Sequence, residues 1–328
     1  MNLQPALEQA IPVAVPYPRS PAVTHQHIFS VVCTLLAEGR LCIEGDTLRI
    51  LDIGCGDGRL IAALHFMLTR RFPHLNVEIH GFDVAEHGFR DSSQLAEALS
   101  YLTGYAPSVE WEKRIKLISD DERWGYPPAY FHLAVSNQVL EHVQDIDHFM
   151  ANLRDVLAPG GQSVHVFPLS HCMQEAHCGV PFSHWIKDFN YRVAWIKLVS
   201  RFGIGRYLKD RRVLGHTGLA HHSLETAKFI ECWTFYRSFS EISKRASEKS
   251  LATSYHFTKN IISAKLRHIA KREAAARYRR WIFLGLEWLA YIFVRSITSA
   301  TIVIEPVAYD IGKRIAAEKS YKYRRVGG

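Results

Sequence analysis

Apolar positions in the first half of the chain come in short runs broken by turn residues, the rhythm of strands joined by tight connections. Residues 48–53 are such a run, closed by three glycines at alternate positions, Gly54, Gly56 and Gly58, with Leu60, Ile61 and Leu64 following at helical spacing. That order predicts strand, turn and helix. Residues 77–82 alternate as a second strand and end at Asp83, and 115–118 form a third that runs into Ser119, Asp120 and Asp121. Residues 130–137 read as a fourth strand. A Pro159-Gly160-Gly161 stop then ends a helix ahead of a fifth strand at 162–167.

Beyond residue 188 the period lengthens to that of helices, over 189–203, 223–249 and 257–280, with Trp195, Leu198 and Val199 on one face of the first. The β-branched run at 299–307 predicts the last strand, which places the helical region inside the domain, before that strand. Pro5, Pro12, Pro16, Pro18 and Pro21 forbid a long helix at the start of the chain. The expected organisation is therefore a proline-rich arm at 1–23, an α/β core at 24–188 and a helical insertion at 189–298. A closing strand and basic tail follow at 299–328.

The glycine turn carries the first chemistry. Glycines between a strand and a helix reach positive φ and let a ligand approach closer than any Cβ permits. A dinucleotide site would place the third glycine one residue later, as Gly-x-Gly-x-x-Gly. An acidic residue followed by Gly-x-Gly-x-Gly, here Asp52, Gly54, Gly56 and Gly58, instead resembles the first motif of the class I S-adenosylmethionine (SAM) methyltransferases. Val139-Leu140-Glu141-His142-Val143 resembles a signature of the small-molecule members, such as those of quinone biosynthesis. The Leu-x-Pro-Gly-Gly at 157–161 also falls in family order. Together these motifs cover residues 48–168.

The resemblance implies a Rossmann-like seven-stranded sheet with SAM as cofactor. Asp52, Gly54, Gly56 and Gly58 would cradle it, with Asn137 and Gln138 beside them at the end of the fourth strand. Asp83 would take both ribose hydroxyls, a bidentate and charge-assisted geometry. An acidic residue after the third strand would accept from the adenine amino group; of Asp120 and Asp121, Asp120 is favoured. Most relatives carry Asp where this chain has His132, which changes a local hydrogen bond. The chain lacks the Asn-Pro-Pro-Tyr or Asp-Pro-Pro-Tyr tetrapeptide with which base amino-methyltransferases hold a flipped base.

Residues 168–185 follow the fifth strand, where class I enzymes place substrate contacts, and bring Glu175, His177 and His184 close in sequence. His177 or His184 is the expected base that takes a proton from an acceptor hydroxyl. His142 is a further candidate that in this signature only shapes the pocket. Two other readings of the segment stay open: a divalent cation on Glu175, His177 and His184, and histidines that merely pack beside Phe182 and Trp185. The expected reaction is methyl transfer to an oxygen, ahead of carbon, of a small-molecule, glycan or lipid-linked acceptor, without a resident metal. RNA methylation and a non-catalytic SAM-binding partner are the alternatives.

Charge divides the chain. Residues 1–166 hold 12 basic and 20 acidic side chains, and residues 167–328 hold 28 and 12, so a half of net −8 precedes one of net +16. The basic half suits phosphate, whether of a nucleotide-linked sugar, an anionic membrane or a nucleic acid, although no RNA-binding module is recognised. An apolar stretch at 281–294 is too short to span a bilayer. With the upstream basic residues it reads either as an interfacial anchor or as a buried helix of the cap. Six cysteines without Cys-x-x-Cys spacing, and no secretory signal, point to reduced thiols in the cytoplasm, with a peripheral place on the membrane's inner face left open.

Overall fold

In the computed structural model, which describes residues 21–43, 45–85, 92–119, 123–214, 218–278 and 299–307, all the expected strands join one sheet. They are β1 (Thr47–Ile53), β2 (Asn76–Val84), β3 (Ile115–Ile118), β4 (Phe131–Asn137), β5 (Leu157–Phe167) and a last strand, β7 (Ala300–Pro306). A further strand, β6 (Leu251–Ser254), completes a seven-stranded sheet of order β3-β2-β1-β4-β5-β7-β6. β1 to β5 run parallel, whereas β7 lies antiparallel between β5 and β6.

The strands are apolar on both faces because helices cover both. Successive side chains of a strand point to opposite sides, so Ile50 and Val135 enter one core while Leu51 and Ala134 enter the other. The first core is closed by α1 (Val23–Ala37), α2 (Arg59–Arg71), α3 (Ser92–Tyr105) and α9 (Asn260–Ile269), through residues such as Val31, Leu64, Leu102 and Ile261. The second is closed by α4 (Ile146–Val156) and α8 (Phe239–Glu248), through Phe149, Leu153 and Ile242. Each fully buried Leu or Ile here contributes roughly 1.5–3 kcal/mol. Gly161 fits where β5 shifts register beside β4, since a Cβ there would sit 2.8 Å from the Ala158 carbonyl and 3.0 Å from that of Phe131.

Three helices form a separate cap: α5 (Phe189–Arg201), α6 (Tyr207–Leu214) and α7 (Leu219–Trp233). α5 and α7 pack on each other and on the turn after β5, with Cys178, Val180, Ile196, Val199, Ala227 and Ile230 between them. The expected all-helical region 189–298 is therefore of two kinds. Its leading stretch is the cap, while α8, β6 and α9 belong to the core. The expected helix 223–249 breaks at Thr234, whose extended backbone ends α7 before Ser238 caps α8 by accepting from Glu241 N at 3.2 Å. On α5 the buried stripe is Arg192, Ile196 and Val199, and Leu198, expected beside Val199, is exposed.

His132 at the start of β4 is buried, and its Nδ1 accepts from Arg49 N at 3.1 Å. None of the six cysteines is in a disulfide. Among the described residues no helix is long and apolar enough to cross a membrane. The arm at 1–20, Asp120 and Asp121, and the apolar stretch 281–294 lie outside the described residues.

Candidate active site

Strand register decides where the chemistry gathers. Asp52 on β1 lies opposite Gly81 of β2 on one side and Val135 of β4 on the other. The glycine turn, Asp83 and the segment from Asn137 onward therefore meet beyond the same strand ends, where the strand order reverses. Gly54, Gly56 and Gly58 have φ of 68°, 52° and 74°, the left-handed region that strains other residues. A Cβ on Gly54 would also lie 2.6 Å from Val139 Cγ2. Gly56 N donates to Asp83 Oδ2 at 2.8 Å and Val84 N to Asp83 Oδ1 at 2.9 Å, so the carboxylate at the tip of β2 is fixed across the turn.

Two hollows open on either side of Gly54. The polar one, about 440 Å³, is lined by His25 of α1, Asp52, Asp57, Glu97 and Asn137. Both carboxylate oxygens of Asp52, the Asn137 Oδ1 and the His25 Nδ1 are buried there without a hydrogen-bond partner. Burial, and then the charge of Asp57, raises the Asp52 carboxyl well above the usual carboxylate range. Burial likewise lowers His25 to about 4. Buried acceptors of this kind suit a cationic or hydrogen-bond-donating group.

The second hollow, about 330 Å³, runs from Gly54 and Asp83 past Ile118 and Trp124 to an aromatic end. Phe229 and Trp233 line that end, Phe229 with its ring against those of His142 and His177, while Phe149 packs edge-on to Trp124 at 5.3 Å. Gln138, held at φ 60°, also faces this hollow, and its amide donates to Ser299 Oγ at 2.8 Å.

Around the two histidines the hydrogen bonds fix the protons. His142 Nδ1 lies 2.6 Å from the Trp233 carbonyl, which only accepts, so that nitrogen carries hydrogen. Glu175 is fully buried and its carboxylate receives four donors: His177 N at 2.8 Å, Cys178 N at 2.6 Å, Tyr236 OH at 2.5 Å and His177 Nδ1 at 2.7 Å. Burial alone would raise this carboxyl, but the bond and charge of His177, helped by Tyr236 and the Cys178 amide, outweigh it and hold it at about 2. His177 Nδ1 is therefore protonated too. The two remaining nitrogens, Nε2 of His142 and Nε2 of His177, face each other at 3.0 Å. At that distance one Nε2 can donate to the other, so the two rings can hold a hydrogen between them.

His184 goes elsewhere: its ring lies tilted against Tyr236 at 4.6 Å, among the Ser170 and Cys172 backbone, and it does not line the aromatic hollow. The cation-holding set read as Glu175, His177 and His184 is thus not assembled. The donor atoms that do lie within 4.8 Å of one another are those of Glu141, His142 and His177. Glu141 is buried with both oxygens unpartnered, and burial, reinforced by Glu175, pushes its carboxyl up to about 8. At neutral pH it therefore enters the group mostly uncharged.

Several residues of the candidate site lie outside the sequence motifs. Tyr236 and Trp233 come from the α7–α8 junction, and His25 from the first helix; no spacing rule ties them to the glycine turn. The break that delivers Tyr236 does carry a signal, the Ser-x-x-Glu capping box at Ser238 and Glu241.

A parallel sheet closed by an antiparallel seventh strand, with the glycine turn and an acid at the tip of β2, defines a class I SAM-dependent methyltransferase. A family profile described as "Methyltransferase domain" matches residues 3–211. The chain belongs to that family. It is 26% identical over 175 residues to a ubiquinone biosynthesis O-methyltransferase of Bradyrhizobium sp. (strain ORS 278), covering 53% of this chain and 60% of that one. It is 29% identical over 123 residues to a protein of the same name from Caulobacter sp. (strain K31), covering 38% and 41%. The chain thus spans less than two thirds of the length of these relatives. Among solved structures it resembles an S-adenosylmethionine dependent methyltransferase from Mesorhizobium loti, at 18% identity and TM-score 0.42, covering 83% of this chain and 98% of that one.

Proposed function

We propose that this chain moves the methyl group of SAM to a hydroxyl oxygen of a small, planar and largely apolar acceptor, free or lipid-linked. The observation that carries this reading is the pair of facing imidazoles in the wall of the hollow that begins at the glycine turn and Asp83. The residues present fit the cofactor. The unpartnered acceptors of the polar hollow suit an amino-acid ammonium group, Asp83 keeps lone pairs for a diol, and Trp124 and Ile118 offer flat apolar walls to a purine. SAM supplies a sulfonium-activated methyl group, so the protein's task is to orient the acceptor and remove its proton.

Glu175 and the Trp233 carbonyl hold both Nδ1 atoms as donors, which aims both Nε2 lone pairs at one point. Before transfer that point is empty of a proton. The acceptor's O–H would donate to it and give its proton to Nε2 as the oxygen takes the methyl group and the sulfur keeps the bonding pair, leaving a hydrogen that the two Nε2 atoms can share. Phe229 and Trp233 favour a flat acceptor such as a phenol or quinol, in keeping with O-methyltransferase relatives.

The test supplies methyl-labelled SAM with a panel of phenols, quinols, sugars and RNA. Label in the phenol or quinol ethers, lost in His177→Asn with SAM affinity retained, is the expected result. Label in RNA alone, or equal turnover by the variant, overturns the proposal.

A further inference from the structure

Large hydrophobic side chains are exposed at twelve of the described positions, and six of them fall between residues 191 and 213: Tyr191, Leu198, Phe202, Ile204, Leu208 and Val213. Tyr191, Leu198 and Phe202 stand seven and four residues apart, which puts them on one stripe of α5 and its end, beside the stripe that packs on α7. The chain then turns sharply. Gly203 and Gly205, at φ 79° and 95°, flank Ile204, and Leu208 Cδ1 comes within 3.5 Å of where a Gly203 Cβ would stand. Phe202 and Ile204 are 74% and 50% exposed at this turn. Clustered apolar surface of this kind marks a binding face.

The same stretch is strongly basic. Seven lysines and arginines stand in residues 191–213 against a single acid, Asp210, for a net +6. Only Arg192 is turned inward, in an ion pair with Glu231. Lys197, Arg201, Lys209, Arg211 and Arg212 are all exposed. From this juxtaposition we infer that the α5–α6 face is a docking surface for an anionic phospholipid bilayer, with Phe202 and Ile204 entering the headgroup boundary and the surrounding cations meeting lipid phosphates.

Charge and shape select this occupant. A second copy of the chain would bring net +6 against net +6 on the same face. A nucleic acid would use the cations but has no use for the aliphatic Leu198, Ile204, Leu208 and Val213. A lipid surface uses both, aliphatic and aromatic burial together with attraction to anionic headgroups.

The face is also wired to the active site. Arg206, at the end of the turn, donates from its backbone to the Cys178 carbonyl at 2.8 Å and from its guanidinium to the His177 carbonyl at 3.1 Å. The segment that meets lipid is therefore bonded to the segment that positions the base. An acceptor dissolved in, or tethered to, the bilayer would be delivered at that junction; this last step rests on the proposed methyl transfer, whereas the lipid docking does not.

The test is co-sedimentation of the full chain with vesicles of phosphatidylcholine alone and of phosphatidylcholine mixed with phosphatidylglycerol, at low and high salt. The variants are the pairs Phe202→Ser with Ile204→Ser and Arg211→Glu with Arg212→Glu, all at exposed positions, checked by circular dichroism and thermal melting. Binding to the anionic vesicles only, weakened roughly tenfold or more by each pair and by salt, is expected. SAM affinity measured by calorimetry should be unchanged in both pairs, which separates loss of docking from loss of the cofactor site. Equal binding to neutral vesicles, binding indifferent to both pairs, or binding to RNA without binding to vesicles overturns the inference.

Discussion

Replacing Glu175 by glutamine tests the proton arrangement at its anchor. The carboxylate takes two backbone amides, of His177 and Cys178, on Oε2, and the His177 ring and Tyr236 hydroxyl on Oε1. The two backbone amides cannot turn away, so the carbonyl of a glutamine must face them. Its NH₂ group then faces His177 Nδ1. That nitrogen can only accept from an amide donor, which moves the ring hydrogen to Nε2 and removes the lone pair that receives the acceptor's proton. A charged hydrogen bond of this kind is worth about 1.5–3 kcal/mol, and a positioned base contributes about 10²–10⁴-fold in rate. Glu175→Gln should therefore lower kcat on the order of a hundredfold. KM for SAM should stay within about twofold, because Glu175 lines neither hollow.

Two measurements decide it. Initial rates with labelled SAM and the best phenolic acceptor give the kcat and KM split. Long-range proton–nitrogen spectra of the histidine rings report which nitrogen of His177 carries hydrogen. The expected pair of results is a fall in kcat together with a ring proton on Nε2 in place of Nδ1. A folded variant whose tautomer has switched but whose kcat stays within threefold would refute the role of His177 as base. One in which kcat falls while the tautomer is unchanged would refute the route by which Glu175 acts.

Asp83→Ala should weaken SAM binding at least tenfold by calorimetric titration, since two charge-assisted hydrogen bonds are lost; unchanged affinity would remove Asp83 from the ribose site. Gly54→Ala puts a Cβ 2.6 Å from Val139 at φ 68°, so it should destabilise the apo protein by about 1–3 kcal/mol in urea melts and weaken SAM binding as well. Glu141 titrates at about 8 in the folded chain against 4.5 for the free group, so the folded state binds its proton more tightly. Stability is then lost as pH rises from about 4.5 to 8, by at most about 1.4 kcal/mol per pH unit. Glu141→Gln should flatten that slope in denaturant midpoints taken across the range, and an unaltered slope would deny the buried, protonated carboxyl.

The regions of the molecule that were legible in the sequence are those whose chemistry is local. A glycine turn needs positive φ whatever surrounds it, and short apolar or alternating runs between turn residues read as strands, so β1, β2, β4 and β5 could be placed from the chain alone. β6 could not: Leu-Ala-Thr-Ser has no alternation of its own and becomes a strand only by pairing with β7, Thr253 opposite Ile304. Leu198 misled for the converse reason. Its helical spacing beside Val199 suggests a buried face, yet it lies on the flank that the basic surface of α5 shares. For the candidate site, the motif resemblance pointed to Asp52, Asp83 and the glycines, which the strand register brings to the same strand ends, but spacing could not choose among histidines 142, 177 and 184. Their separation in sequence says nothing of ring orientation. The choice depends on which carbonyl or carboxylate holds each Nδ1, and those partners lie 2 to 91 residues away.

Those partners converge on residues 233–237, a short extended segment without a reactive side chain of its own. The Trp233 carbonyl fixes His142, and the Phe235 amide donates to the Glu141 carbonyl at 2.6 Å. Tyr236 reaches Glu175, and the Arg237 guanidinium donates to the Val143 and Gln144 carbonyls at 2.8 and 2.7 Å. The Arg237 carbonyl in turn accepts from Ser170 N at 2.9 Å. One stretch of backbone thus ties the loop after β4 to the turn after β5, the two pieces that carry the facing imidazoles. Rotation of either piece by a fraction of an ångström would break the contact between their Nε2 atoms, which stand only 3.0 Å apart. The break between α7 and α8 is what allows this: a continuous helix would spend those amides and carbonyls on itself. The facing imidazole pair therefore exists because the helical layer is interrupted where it crosses the strand ends.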